Sequence, residues 1–388
     1  MSQAITIFPK LLIHCQYVYG IGHLVRTLEL ARGLSEYFEV SVISGGESVK
    51  NYEIPKTINF IQLPAIYKEE DSPFLTPINK STSIEQCFKD RKKIINFNIE
   101  QIKPEILITE HFPFGLLFEN EVIDLIKEVK KYNNDVKIVS SVRDIIDSSN
   151  GGKRDGYICE IINKWFDLIL VHGDLKFKGL SHSFSKINEI KVKIIHTGYI
   201  VRQIQKKTSQ KNSILILVAV AGGRMGTELL DAAINSHITI RNKIKHRLVL
   251  FSGAFQEDLI KINEKITAIN SSEIELHEFN SQTYLNYLSE ATVVLSLGGY
   301  NSIIESLSLK KQMLVYKRGF KGGNEEQDLR IDFFEKNGNL NVITPNDLAA
   351  DKLSKLILQK ITDTKESHIE LDFNGIKNSK QALINLIS

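Results

Sequence analysis

The sequence predicts an α/β protein built from two halves of similar size, each a parallel sheet flanked by helices. Three observations carry this. Short apolar, β-branched runs alternate with helix-patterned segments, which is the signature of β-α-β units. A polar, basic stretch, RQIQKKTSQKNS at residues 202–213, interrupts the alternation, which then begins again. Each half also places a glycine-bearing turn between its first strand and first helix, GIGH at Gly20–His23 and AGGRMG at Ala221–Gly226.

In the first half, KLLIHC is the first strand. The segment after Gly22 is helical, with Leu24, Leu28, Ala31 and Leu34 on one face. EVSVIS, INFIQL, EILIT, VKIVSSV, LILVH and KIIHTG follow as strands, with helices between several of them. The polar run YKEEDSPFLTPINKSTS, from Tyr67 to Ser83, reads as a mobile surface loop. RDIIDSSNGGKRDG, from Arg143 to Gly156, reads as a second loop at a strand end, because its Asn-Gly-Gly core favours turns. In the second half the strands are ILILVAVAGG, RLVLFSG, EIELHEF, TVVLSL, QMLVYK and NLNVIT, and TPNDL at Thr344 marks a helix start with Pro345 in its first turn. Open parallel sheets bind ligands beyond the carboxyl ends of their strands, so the loops of both halves are expected to face a central cleft.

A chain of 388 residues exceeds what one core usually organises, in keeping with two domains. Hydrophobic content of 42% and charged content of 24% are those of a soluble globular protein. A net charge of +3, with no concentrated basic stripe, argues against a nucleic-acid partner. Cys15, Cys87 and Cys159 are far apart and form no Cys-x-x-Cys pair, which fits a reducing, cytoplasmic setting. The start MSQAITIFPKLLIHC lacks the pattern of a signal peptide, and the longest apolar run, ILILVAVA, is too short to cross a bilayer. Peripheral contact with a membrane surface stays open.

Three turns are candidates for chemistry. In YGIGH, Gly20 and Gly22 let backbone amides approach a ligand, and the helix start adds partial positive charge. His23 then stands beside that ligand with a ring suited to proton transfer; alternatively it caps the helix or faces water. In AGGRMG, Gly222, Gly223 and Gly226 would do the same in the second half, with Arg224 as a fixed charge for phosphate, or form a plain turn with a solvated arginine. In SLGGYNSIIE, Gly298 and Gly299 end a strand, and Asn301 and Ser302 stand at the next helix start, which attracts anions. Glu305, placed in the first turn, offers a carboxylate to both hydroxyls of a ribose; Ser302-x-x-Glu305 also spells a capping box that needs no ligand. Glu326 and Gln327 open a later helix, either to bond sugar hydroxyls or as a polar first turn.

The second half resembles the donor-binding half of family 28 glycosyltransferases of the MurG type, which have the GT-B fold: two Rossmann-like domains facing a central cleft. The similar residues are GGRMG, HEFNSQTYLNYLSEATVVLSLGG and the glycine turn leading to Glu305. The resemblance implies that Glu305 holds the nucleotide ribose, that Gln327 reads the donor sugar, and that Phe279 and Asn280 meet the base through backbone. The first half is similar to a branch of predicted glycosyltransferases through ITEHFPFG at Ile108 and SSVRDI at Ser140. It departs from the MurG pattern Gly-Gly-x-Gly-Gly-His, carrying Tyr-Gly-Ile-Gly-His, and a KGG insertion precedes Glu326, which replaces a family glutamine.

The resemblance implies residues 1–205 as an acceptor-binding domain and 206–388 as the domain for a nucleotide diphosphate sugar, with the last helix free to pack back on the first domain. The expected reaction is inverting transfer of a hexosyl group from a nucleotide sugar, UDP favoured, to a hydroxyl on a small molecule, a glycan or a lipid-linked acceptor. No Asp-x-Asp is present to hold a divalent ion, so metal independence and no cofactor beyond the co-substrate are expected. His23 is the first choice for base, with Glu110 and Asp144 as rivals or, equally, as capping groups or partners of Arg143. His14, His172 and His196 lie in or at the ends of strands and read as structural. No His/Cys spacing suggests zinc and no Gly-x-Ser-x-Gly suggests an esterase. GIGHLVR also resembles nucleotide-sugar hydrolases of the pseudaminic acid pathway; a nucleotide-sugar 2-epimerase and a non-catalytic binder are the remaining alternatives.

Overall fold

The computed structural model describes residues 8–50, 52–69, 72–146, 152–177, 179–204, 213–220, 225–255, 259–318, 325–363 and 370–388. Its first sheet contains β1 (Lys10–Cys15), β2 (Glu39–Ser44), β3 (Asn59–Gln62), β6 (Ile106–Glu110), β7 (Lys137–Arg143), β8 (Leu168–His172) and β9 (Lys193–His196). These seven strands are all parallel and run in the order β3-β2-β1-β6-β7-β8-β9. The second sheet contains β10 (Ile214–Ala219), β11 (His246–Phe251), β12 (Ile274–His277), β13 (Val293–Leu297), β14 (Gln312–Tyr316) and β15 (Asn341–Ile343), parallel in the order β12-β11-β10-β13-β14-β15.

The central strands are near-continuous runs of buried residues because helices cover both faces. In register, Ile13 lies between Val42 and Ile108, and Leu217 between Val249 and Val294. The helices of the first sheet are α1 (Gly22–Leu34), α2 (Ile84–Ile102), α3 (Glu119–Tyr132), α4 (Asp155–Trp165) and α5 (Gly179–Ser183). Those of the second are α6 (Thr227–Ile240), α7 (Ile260–Ile269), α8 (Ser281–Glu290), α9 (Tyr300–Ser308), α10 (Glu325–Lys336) and α11 (Ala350–Thr362). The start expected at Thr344 is a 3-10 turn, Pro345–Asp347, closed by a Thr344–Asp347 capping box, ahead of α11.

The last helix, α12 (Gly375–Ile387), lies on the first half. Its Ile376 side chain occupies the space over Gly33 that a Cβ would need, and Leu383 joins the cluster of Leu11, Leu24 and Leu28. The Gly375 amide donates to the Tyr199 carbonyl at 3.1 Å, which fastens the helix to the segment leaving β9.

One expectation is corrected. The stretch 67–83, read as a loop, holds part of a short antiparallel ladder between β4 (Ile66–Tyr67) and β5 (Thr76–Pro77). Ile66 is fully buried, and the Ile78 amide extends the pairing to the Ala65 carbonyl at 3.0 Å. A two-residue ladder has no periodicity to read, so tertiary burial decides it.

In both sheets the strand order reverses beside the first strand, between β1 and β6 and between β10 and β13. Loops leave in opposite directions there and open a crevice at the carboxyl ends. His23 and Glu110 flank the first switch point; Gly226 and Gly299 flank the second.

Candidate functional site

At the first switch point α1 starts at Gly22, so His23 and Arg26 fall one turn apart on the same face. Both reach Glu110 at the end of β6. His23 Nδ1 lies 2.7 Å from Glu110 Oε1, and Arg26 donates to the same oxygen. Ser141 on β7 donates to Glu110 Oε2 at 2.9 Å, and its oxygen is 3.0 Å from His172 Nε2, whose Nδ1 is 2.9 Å from Thr197 Oγ1. A chain of polar groups therefore runs from the crevice into the core of the first sheet. Burial pushes the Glu110 carboxyl up, but Arg26 and the His23 hydrogen bond outweigh it and hold it far below the usual carboxylate range. Burial, helped by Arg143, pushes His23 down and keeps the imidazole neutral near pH 7. His111, in a left-handed backbone conformation with φ 67°, sets its ring 5.3 Å from that of His23 and is pushed down to about 3, first by burial and then by His23.

The carboxylates weighed as rival bases, Glu110 and Asp144, are both buried and partnered. Glu110 is buried and holds His23, Arg26 and Ser141. Asp144 is buried, accepts from Arg330 Nη2 at 2.7 Å and from the Ile145 amide at 2.9 Å, and does not pair with Arg143. Arg143 instead donates from Nη1 to Glu326 at 3.0 Å, and Arg330 joins the same carboxylate at 2.7 Å. Burial pushes Glu326 up, and the two guanidiniums bring it far down. Tyr300 sits in the middle of these charges: Arg26, Arg143 and Arg330 all lie within 6 Å of its ring centroid, at 5.4, 5.9 and 5.3 Å. Its hydroxyl donates to the His172 carbonyl at 2.8 Å, and the neighbouring Asn301 donates to the Gly22 carbonyl at 3.1 Å. The start of α9 is thus tied to the start of α1.

On the second sheet, Gly299 is the N-cap of α9, and a Cβ there would meet nothing within 4 Å. The helix start faces open space beside that residue, as an anion site requires. Gly298 serves packing: a Cβ would lie 2.3 Å from Ile331 Cδ1 of α10. Gln327 is close by, its Cβ 3.7 Å from the same point. Because α9 begins at Tyr300, Ser302-x-x-Glu305 is not a capping box, and Glu305 stands beyond the first turn. Both Glu305 oxygens accept from Arg202, at 2.6 and 2.7 Å, and Arg202 also donates to Ser281. Phe279 packs parallel to Tyr52 of the first half, centroids 6.5 Å apart and planes 4° apart. Asn280 caps α8 by accepting from the Thr283 amide at 2.9 Å. Gly226 adopts φ 97° at the start of α6. Gly222, Gly223 and Arg224 lie outside the described residues.

Arg26, Ser141, Arg202, Tyr300 and Arg330 contact the candidate residues and were not singled out from the sequence. Only Arg26 left a signal, its three-residue spacing from His23. A cavity of about 540 Å³ also opens between α2 and α3, beside the loop leaving β6, with an apolar wall that includes Phe88, Leu116 and Leu117 and a polar one that includes Glu85, Lys92 and Asp124. Among the described residues, no helix is long and apolar enough to cross a membrane.

No family model matches the chain. It is 26% identical over 175 residues to the UDP-N-acetylglucosamine--N-acetylmuramyl-(pentapeptide) pyrophosphoryl-undecaprenol N-acetylglucosamine transferase of Clostridium kluyveri, a match covering 44% of this chain and 46% of that protein. The Clostridium tetani protein of the same name matches at 26% over the same shares. The chain thus spans about half the length of the curated relatives it matches. Among solved structures, TcCGT1 in complex with UDP aligns at TM-score 0.63 and 14% identity, over 98% of this chain and 94% of that one. A putative UDP-N-acetylglucosamine 2-epimerase from Listeria monocytogenes aligns at 0.59 and 12%, over 97% and 95%. Acinetobacter baumannii MurG aligns at 0.55 and 10%, over 98% and 99%. The architecture is the GT-B fold, and the sequence is MurG-like over the matched part.

Proposed function

We propose that the protein is a glycosyltransferase that moves a sugar from a UDP-sugar to a hydroxyl acceptor with inversion and without a metal ion. The observation that carries this reading is the His23–Glu110 pair at the first switch point, facing the helix start at Gly299 across Tyr300. With Nδ1 committed to Glu110, His23 has Nε2 left to take a proton, on a side chain still 21% exposed. The acceptor hydroxyl gives its proton to Nε2 while its oxygen attacks the anomeric carbon. The bond from that carbon to the diphosphate breaks on the opposite face. Amides at the start of α9 meet the charge left on the diphosphate, which is the work a metal ion does elsewhere.

The names of the curated relatives favour a lipid-linked acceptor, and such an acceptor would bring the protein into peripheral contact with a membrane. The cavity between α2 and α3 joins an apolar wall, with Leu117 exposed at its edge, to the charged groups Glu85, Lys92, Glu119 and Asp124, and so offers room for an acceptor with both apolar and polar portions. Glu305 is kept as the ribose ligand, which requires Arg202 to yield one or both of its oxygens.

Incubation with radiolabelled UDP-N-acetylglucosamine and a membrane-lipid extract tests the proposal. Label transferred to an acceptor, insensitive to EDTA and lost by a factor on the order of 10² to 10⁴ in His23→Ala with UDP affinity retained, is the expected result. Release of free sugar assigns a hydrolase, an isomerised donor assigns an epimerase, and restoration by magnesium after EDTA overturns metal independence.

A further inference from the structure

Arg26 takes no part in the proposed transfer, yet its placement is unusual. The side chain is 1% exposed, and Glu110 is its ionic partner. Its Nε and Nη1 meet no hydrogen-bond partner among the described residues, and the guanidinium lies against the Tyr300 ring. A buried cation with one carboxylate and unmet donors is a poor way to stabilise a core, where an apolar side chain of similar volume packs at lower cost. Its value must lie in where the charge is.

That place is one oxygen atom. Glu110 Oε1 receives both His23 Nδ1 and Arg26 Nη2, while Oε2 is fixed by Ser141. We propose that Arg26 is a positioning residue that, by sharing Glu110 Oε1 with His23, fixes the imidazole tautomer and weakens the carboxylate's hold on the ring, so that Nε2 stays an available base. This deepens the proposed function, since it rests on His23 taking the acceptor's proton. The carboxylate alone would do two opposing things. It would orient Nδ1–H, and it would also stabilise the imidazolium, working against the burial and the Arg143 charge that hold the ring neutral. A guanidinium on the same oxygen keeps the orientation and opposes the second effect. During transfer the acceptor's proton ends on Nε2, the Nδ1 proton stays on Nδ1, and Glu110 remains ionised.

The charged and titratable groups facing His23 are Glu110 from β6, Arg26 on its own helix, Arg143 from β7, His111 from the loop after β6 and Glu326 from α10. Burial and Arg143 push His23 down, Glu110 pulls it up, and Arg26 opposes Glu110, in agreement with the geometry.

The test is an NMR titration of the His23 ring in the intact chain, assigned with H23Q, in the wild type, R26Q, R26K and E110Q. The expected result is a His23 midpoint raised by roughly 1 pH unit in R26Q, restored towards the wild-type value in R26K, and lowered in E110Q. The acid limb of the pH–rate profile should follow the R26Q midpoint upward. A midpoint unmoved in R26Q, or moved equally in R26Q and R26K, overturns the proposal by reducing Arg26 to packing. Should R26Q not fold, E110Q decides alone: an unmoved or raised midpoint overturns the shared-oxygen arrangement. The titration needs no substrate, so it separates this idea from the reaction assignment. A correct titration without sugar transfer sinks only the assignment.

Discussion

At the scale of single residues, identity and environment carry different information. GIGH and ITEH announced a histidine and a glutamate at strand ends, but three groups able to act as base remained open. Burial and partners separate them. Glu110 and Asp144 are buried and each accepts from a guanidinium, whereas the partly exposed His23 has Nδ1 on Glu110 and its other ring nitrogen left over. The glycines divide in the same way. Gly298 clears space for Ile331, and Gly299 faces open space. Gly226 is required by its backbone: φ is 97°, and a Cβ would sit 2.8 Å from Val220. Gly226→Ala should therefore lower stability by about 1–2 kcal/mol from backbone strain alone. A urea titration reads this as a lower midpoint with an unchanged slope; an unchanged midpoint would show that the turn relaxes without cost.

At the scale of elements, the strands were legible because parallel strands buried on both faces are written as unbroken apolar runs, as in LLIHC and LILVA. Two features were not. The β4–β5 ladder is too short for a pattern, and α9 begins two residues before the Ser302-x-x-Glu305 spelling because Gly299, with no side-chain cap, already ends the turn. The packing of α6 on β11 adds a titration that no spacing reveals. His237 Nδ1 lies 2.9 Å from His246 Nε2, and both rings are buried. Burial and then the facing His246 push His237 down to about 4, and burial also lowers His246. The unfolded chain takes up protons on these rings near pH ~6.5, so it binds more protons than the folded chain below that pH. Stability from this pair is fully present above about 6.5 and is lost as pH falls towards 4. The urea midpoint should drop between pH 7 and pH 5, and the drop should shrink in H237Q; an equal drop would place the acid sensitivity at His111 and His172 instead.

At the scale of the whole molecule, the two sheets meet through pairs that no local reading finds, because their members lie more than 180 residues apart: Arg143 with Glu326, and Asp144 with Arg330. The sequence marks Asp144 and Glu326 as chemical candidates; only the closed arrangement shows that their charges hold the halves together, with Tyr300 between them. Arg330 has a side-chain exposure of 0% and divides its guanidinium between Asp144 and Glu326. Asp144→Asn removes the charge opposite it and leaves a buried cation short of a partner, a change worth roughly 3–5 kcal/mol if the halves stay together. A two-domain protein has a cheaper way out, since opening the crevice lets water reach the guanidinium. Asp144→Asn should therefore show a larger radius of gyration in small-angle X-ray scattering, with each half still folded, and addition of UDP should partly reverse the expansion if the nucleotide binds across both halves. Equal dimensions together with an unchanged unfolding midpoint would mean that the Asp144–Arg330 pair does not hold the two halves closed.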